Sequence, residues 1–433
     1  MAMASHRRLL QPLGRWPLVV AILMVGLFLY LQIDRLTRNA RVSLEQTVPS
    51  VTDTVTPGAK GILPETTIAA YMRAILDSNS EHLPKVDCHN PDLSRYKDLK
   101  PSFFTPGSQT PYFFALNLRE SLHILPTLLS SVVAAINFLG PENCALSIVE
   151  GNSPDGTADV LAALEAYLKP LKVRTNFVLL VDDIDPSTDA RFARLATLRN
   201  MALQPLVDEP ERYRDATVLF INDVAACPDD LLELVYQRKV LSADMTCAMD
   251  WIFGAGDETL FYDSYIARGI NGDLFFEIPP GTGSFAKATN LFWNDPESKA
   301  RFEAGRPLQV FACWNGAVAF PARPIAGREV AFRAARAELG ECHNGEPEIF
   351  CKDLWAHGYG RIAVVPYINL EYSTEKGQRI KDERGYTSAT AASKPRQDSI
   401  DWQGPPEEVK CMPTFYNQFW LPWNHTLGGT DTG

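Results

Sequence analysis

Clustered histidines, close-set cysteines, internal repeats and an excess of positive charge are all missing from this chain. None of its seven histidines belongs to an H-x-x-x-H or comparable cluster, which removes the usual helical zinc motif. Of its eight cysteines only Cys342 and Cys351 are close, and their spacing matches no zinc site. No segment repeats. Lys and Arg number 41 against 52 Asp and Glu, a formal net charge of -11 with a pI of about 5.2. No basic stripe interleaved with aromatics accompanies that balance, so a nucleic-acid partner is excluded. What remains is 433 residues, 46% hydrophobic and 21% charged. That composition belongs to a globular protein with a sizeable core, as one large domain or two ordinary ones.

Residues 16–33 carry no charge over 18 positions and follow Arg7, Arg8 and Arg15. This run is long enough to span a bilayer and suits the thinner membranes of the early secretory pathway. It is long for a cleaved signal peptide, and no small-x-small cleavage site follows it. The reading is an uncleaved signal anchor behind a cytosolic tail (1–15). Arg35, Arg38 and Arg41 nearly balance the charges before it, so orientation is not set by charge alone. A polar stem (34–60) precedes the main domain (61–375), and a partly flexible extension (376–433) follows. In that extension Phe415, Tyr416, Phe419, Trp420 and Trp423 have the character to dock back. Asn424-His425-Thr426 is a glycosylation sequon, usable where that region is lumenal.

The main domain alternates. "PYFFALNL", "ALSIVE", "VRTNFVLLV", "ATVLFI" and "ADMTCAMD" read as strands. The segments between them carry helical periodicity, which predicts an α/β fold with a mainly parallel sheet. Ligands of such sheets sit beyond the C-terminal strand ends. Here those ends bear Glu150, Asn222-Asp223 and Asp250. Later, "PLQVFACWNGAVAF" is strand-like, "PEIFCKDLWAHG" helical and "RIAVVPYINLEY" a last strand. In the helix over 191–206, Arg199 falls within the apolar arc of Phe192, Leu195, Leu198, Ala202 and Leu203. It therefore needs an internal carboxylate or an anionic ligand.

In order, the chain has an "SPDGT" turn, a helix ending in "LRN" and a strand ending in an acidic pair. This series resembles the nucleotide-sugar half of GT-A-type glycosyltransferases, a Rossmann-like mainly parallel sheet with flanking helices. The blocks "FINDVAACPDDLLELV", "FYDSYIARGINGDLF", "FACWNGAVAF" and "FCKDLWAHGYGRIAVVP" resemble the fungal capsular α-1,3-mannosyltransferase family, glycosyltransferase family 69. The likeness runs from about Thr67 to Tyr372. It implies a retaining transferase of the cell-wall or capsule pathway, using GDP-mannose and a glycan acceptor. It also implies a single-pass type II protein of the Golgi or ER membrane with a lumenal catalytic domain. The chain has Gly345-Glu346-Pro347 where the family has Ser-Glu-Cys, and Asn222-Asp223 where GT-A enzymes carry Asp-x-Asp.

Under this resemblance Asp223, with Asn222, is expected to hold Mn²⁺ or Mg²⁺ on the diphosphate. Glu150, Asp155, Arg199, Asn200, Trp314 and Asn315 are expected to contact the nucleotide sugar. Asp250, Glu346 and Asp353 are the candidates for handling the acceptor hydroxyl. Each has a plainer reading: Asp155 as a helix cap, Trp314 as core, Asp353 as a surface charge, Asp250 as a turn cap. The missing second carboxylate at Asn222 keeps a catalytically silent, membrane-anchored assembly or export factor as the alternative.

Overall fold

The structure, a computed structural model, describes residues 61–427 apart from 78, 90, 92, 101–108, 185, 188, 189, 282, 284 and 394–397. The expected tail, anchor and stem over 1–60 lie outside the described residues. Among the described residues no helix is long and apolar enough to cross a membrane. The unit described below begins at Gly61.

A ten-stranded sheet runs through it, in the order β3-β2-β1-β4-β9-β5-β10-β8-β7 with β6 on the end of β5. The strands are β1 (Tyr112–Leu118), β2 (Cys144–Glu150), β3 (Arg174–Val178), β4 (Thr217–Ile221) and β5 (Met245–Phe253). They continue with β6 (Thr259–Phe261), β7 (Arg268–Gly269), β8 (Leu308–Ala312), β9 (Ala317–Pro321) and β10 (Ile362–Leu370). β3, β2, β1 and β4 are parallel, as are β5 and β10, while β9 sits antiparallel between β4 and β5. The sheet is thus mixed, parallel through β3, β2, β1 and β4 and broken by antiparallel β9 beside β4.

Every residue of β2, β4 and β10 is buried, as expected of strands covered on both faces. One face packs against α1 (Glu65–Leu76), α2 (Leu125–Leu139), α3 (Thr157–Leu168) and α5 (Pro228–Val240). The other packs against α4 (Arg191–Asp208) and α6 (Glu346–Ala356). α5 has a well-formed start. Pro228 occupies the first turn, and the Asp230 carboxylate accepts the Cys227 N–H at 2.7 Å.

"PLQVFACWNGAVAF" is two strands rather than one. The chain reverses at Asn315 (φ 51°) and Gly316 (φ 85°), and a Cβ on Gly316 would lie 3.1 Å from Val224. Only glycine adopts that conformation without strain in so close a space. The reversal returns Trp314–Gly316 to the strand edge that carries Asn222.

Where composition suggested partial flexibility after residue 375, the chain forms α7 (Thr374–Arg384), a short helix Thr387–Ser393 and a hairpin of β11 (Glu408–Thr414) and β12 (Asn417–Pro422). Phe415 and Trp423 pack on the core, while Tyr416, Phe419 and Trp420 stay exposed. Disulfides join Cys88 to Cys227, Cys247 to Cys313 and Cys342 to Cys411. Cys342 therefore pairs across 69 residues, not with nearby Cys351, which is a buried thiol like Cys144.

Candidate functional site

Strand register gathers the candidate residues on one edge. Glu150 lies opposite Leu118, Asp250 opposite Leu370, and Ile221 opposite Ala317. Just past β4, Asn222 N–H donates to the Gly316 carbonyl at 2.9 Å, and Ala225 N–H donates to the Glu371 carbonyl at 2.7 Å. Three strand ends are thereby stitched together around Asp223, which is partly exposed. Burial pushes its carboxyl above the usual range, and the charges of His123 and Arg199 pull the other way.

Arg199 is the inward-facing arginine anticipated from the α4 pattern, and its partner is internal. Its Nε donates to Glu346 at 2.8 Å, with side-chain exposures of 12% and 3%. The guanidinium lies 4.5 Å from the Trp314 ring centroid and 5.1 Å from that of Phe220. Trp314 Nε1 in turn donates to Asn222 Oδ1 at 3.1 Å. A chain of contacts thus runs from Glu346 through Arg199 and Trp314 to Asn222, adjoining Asp223.

Several expected ligand contacts are committed elsewhere. Glu150 is fully buried and accepts the N–H groups of Ser153 (2.7 Å) and Leu180 (3.0 Å), so it braces two loops instead of facing a base or ribose. Asp155 accepts from Thr157 N–H and Oγ1 at 2.9 and 2.7 Å and from Leu122 N–H at 3.0 Å. Burial opposes its charge, but those bonds hold it below the usual carboxylate range. Asn200 exchanges two hydrogen bonds with the Phe332 backbone, at 2.8 and 3.0 Å. Trp314 is 2% exposed, too enclosed to stack on a sugar. Asn315 is buried and donates to the Ala248 carbonyl at 2.9 Å. Asp353 forms a bidentate ion pair with Arg333, both bonds 2.7 Å. Asn222, expected beside Asp223 at the metal, accepts the Trp314 indole N–H on its amide oxygen at 3.1 Å. His357 is exposed at the C-terminus of α6, its Nδ1 2.9 Å from the Asp353 carbonyl.

The sequence singled out none of Asp263, Tyr262, Tyr372 and His123; Asp263 lies in the loop after β6. It accepts the Asn315 N–H at 2.9 Å, and burial pushes its carboxyl up to about 6. Asp250 is fully buried nearby. Its carboxyl is pushed well up, first by burial and then by the charge of Asp263. Asp250 Oδ2 accepts from the Tyr372 hydroxyl at 2.6 Å, while Oδ1 has no partner. Above this pair the Tyr262 and Tyr372 rings meet edge to face at 5.1 Å, with Tyr262 47% exposed. The Tyr262 hydroxyl is pushed up by burial and by Asp250, Asp263 and Asp223, and Arg191 at the start of α4 opposes them. The open face of the site therefore presents Asp223, Tyr262 and His123. Asp250 and Asp263 support it from beneath.

Among the described residues no three His, Cys, Asp or Glu side chains form a metal-holding group. One carboxylate at a partly exposed strand end fits a divalent ion whose remaining ligands come from substrate phosphates and water. Asp223 meets that description. Such an ion would also reverse the upward push on its carboxyl.

A family model described as "Cryptococcal mannosyltransferase 1" matches residues 111–353. The α-1,3-mannosyltransferase CMT1 of Cryptococcus neoformans is 32% identical over 350 residues, covering 75% of this chain and 72% of that protein. Two crystal structures of S. aureus TarS share 13% and 14% identity over 61% and 62% of this chain. They span 60% and 38% of those chains, with TM-scores of 0.35 and 0.34.

Proposed function

This chain belongs to the cryptococcal mannosyltransferase 1 family and is an α-mannosyltransferase; on that premise we propose that its donor is GDP-mannose, bound with the diphosphate at Asp223. The observation that carries this reading is the stitched edge at β4, β9 and β10. It leaves Asp223 partly exposed at the strand ends while its neighbours are immobilised.

Mn²⁺ or Mg²⁺, when bound, would neutralise charge on the departing GDP, and Asp223 is the residue that would hold it. Arg199 adds fixed positive charge behind that edge, oriented by Glu346 and Trp314. Tyr262 lies at the open face, where its exposed ring can pack on a sugar, and Tyr372 and Asp250 fix the ring beside it. In the GT-A reading the acceptor hydroxyl attacks from the face the diphosphate leaves, so configuration is retained. A leaving phosphate oxygen then takes the acceptor proton. Under this scheme the enclosed carboxylates Asp250 and Glu346 shape the site without forming a covalent intermediate.

The proposed acceptor is a cell-wall or capsule glycan, joined in α-1,3 linkage. The proposed location is the Golgi or ER membrane, with the domain lumenal and anchored by residues 16–33. Three disulfides suit an oxidising compartment. The test is transfer of labelled mannose from GDP-mannose to α-mannoside acceptors, with GDP-glucose and UDP-galactose as competing donors. Linkage analysis of the product completes it. Preferential use of either competitor overturns the donor assignment.

A further inference from the structure

Asn424-His425-Thr426 is the sole Asn-x-Ser/Thr sequon of the chain, and mannosyl transfer makes no use of it. It lies in the turn after β12. Asn424 is exposed, and its carbonyl accepts from Leu427 N–H at 2.9 Å. Thr426, by contrast, is 4% exposed. Its hydroxyl donates to Glu341 at 2.9 Å and accepts from Lys352 Nζ at 2.6 Å. The His425 ring nitrogens lie 2.8 Å from the Pro422 carbonyl and 3.2 Å from that of Gly340, which closes the turn onto the domain.

The two ends of the sequon thus have opposite fates in the fold. The amide that would carry a glycan faces solvent, with room for a bulky polar group. The hydroxyl that makes the tripeptide recognisable is sequestered in an ion-paired cluster of Glu341, Lys352 and Arg333. A modifying enzyme can reach the whole tripeptide only while this turn is open.

We propose that Asn424 is an N-glycosylation site, modified before the C-terminal turn docks on Glu341 and Lys352. The sugar source is a lipid-diphosphate-linked oligosaccharide. Asn424 Nδ2 forms a bond to its anomeric carbon as the anomeric C–O bond to the diphosphate breaks. The amide gives up one proton, and the lipid diphosphate leaves as the other product. After folding, Thr426 passes from recognition element to structural hydrogen-bond partner.

This proposal rests on the lumenal placement proposed above, so its test carries an independent reporter of that placement. The full chain is expressed in a yeast host, digested with and without peptide N-glycanase, and mapped by mass spectrometry. In parallel, Glu65→Asn creates a second sequon with Thr66 and Thr67 at the exposed start of α1. The expected result is a glycan on the Asn424 peptide, lost in Asn424→Gln with thermal stability and mannosyl transfer retained. Thr426→Ala is expected to lose the glycan and to lower the Tm as well, whereas Thr426→Ser keeps both. A bare Asn424 beside a glycosylated reporter overturns the proposal and leaves lumenal placement standing. Bare asparagines at both positions overturn both. A Thr426→Ala protein as stable as Asn424→Gln contradicts the dual role of the hydroxyl.

Discussion

Arg199 reaches across 147 residues of sequence to donate from Nε to Glu346 at 2.8 Å, and neither side chain is more than 12% exposed. Breaking such a pair from one side leaves a buried charge without its counter-ion. Arg199→Ala is therefore expected to lower unfolding free energy by about 3–5 kcal/mol. Arg199→Lys keeps the charge but loses the guanidinium contact over the Trp314 ring, and should lower kcat more than stability. Urea unfolding read beside donor kinetics separates the two effects. A stable, fully active Arg199→Ala would remove this pair from the account.

Asp353 and Arg333 make the opposite case. Their bidentate pair joins the Glu341 cluster. Asp353→Asn is expected to cost about 1–3 kcal/mol of stability while leaving the KM for GDP-mannose unchanged. A large fall in kcat in folded protein would return Asp353 to the reacting centre.

Asp250 and Asp263 predict a pH signature. Asp263 is raised from an ordinary value near 3.8 to about 6, and Asp250 is raised as well. The folded state then binds more protons than the unfolded chain through that window. The contribution of Asp263 is fully present below about pH 4 and is lost as pH rises through about 6, and that of Asp250 has the same sign. Asp263→Asn still accepts the Asn315 N–H through its amide oxygen and cannot ionise. The variant should gain stability relative to wild type between about pH 4 and 7, measured as the difference in Tm. A difference that stays flat or reverses sign contradicts the raised Asp263 carboxyl.

The Cys247–Cys313 disulfide joins β5 to the segment that presents Trp314. Replacing both cysteines with serine is expected to cost about 2–4 kcal/mol. Donor affinity should weaken with it, because the Trp314–Asn222 contact loses its anchor. Thermal melts and donor titration check this. Full affinity in the variant would show that the edge holds its shape without the bridge.

Periodic and punctuated parts of the chain were legible from sequence. The apolar arc of α4 marked Arg199 as inward-facing. Glu150, Asn222-Asp223 and Asp250 do lie level on one edge of the sheet, although β5 continues past Asp250 to Phe253 rather than ending there. What escaped was decided by partners distant in sequence. Glu150, Asp155 and Asn200 have the right chemistry for ligands, but backbone groups in other loops satisfy them. Asp263 sits in an aperiodic loop, so nothing local distinguishes it from a turn residue. β9 runs against its neighbours because of a reversal at Asn315-Gly316, which in sequence is only a short polar break between apolar segments.

The most direct test is calorimetric titration of GDP-mannose into the purified domain with and without Mn²⁺, with Asp223→Ala alongside. The account predicts binding strengthened by Mn²⁺ in the wild type and loss of that strengthening in a folded Asp223→Ala. Equal, metal-enhanced binding by both proteins, or no GDP-mannose binding by folded wild type, would contradict the placement of the donor at Asp223.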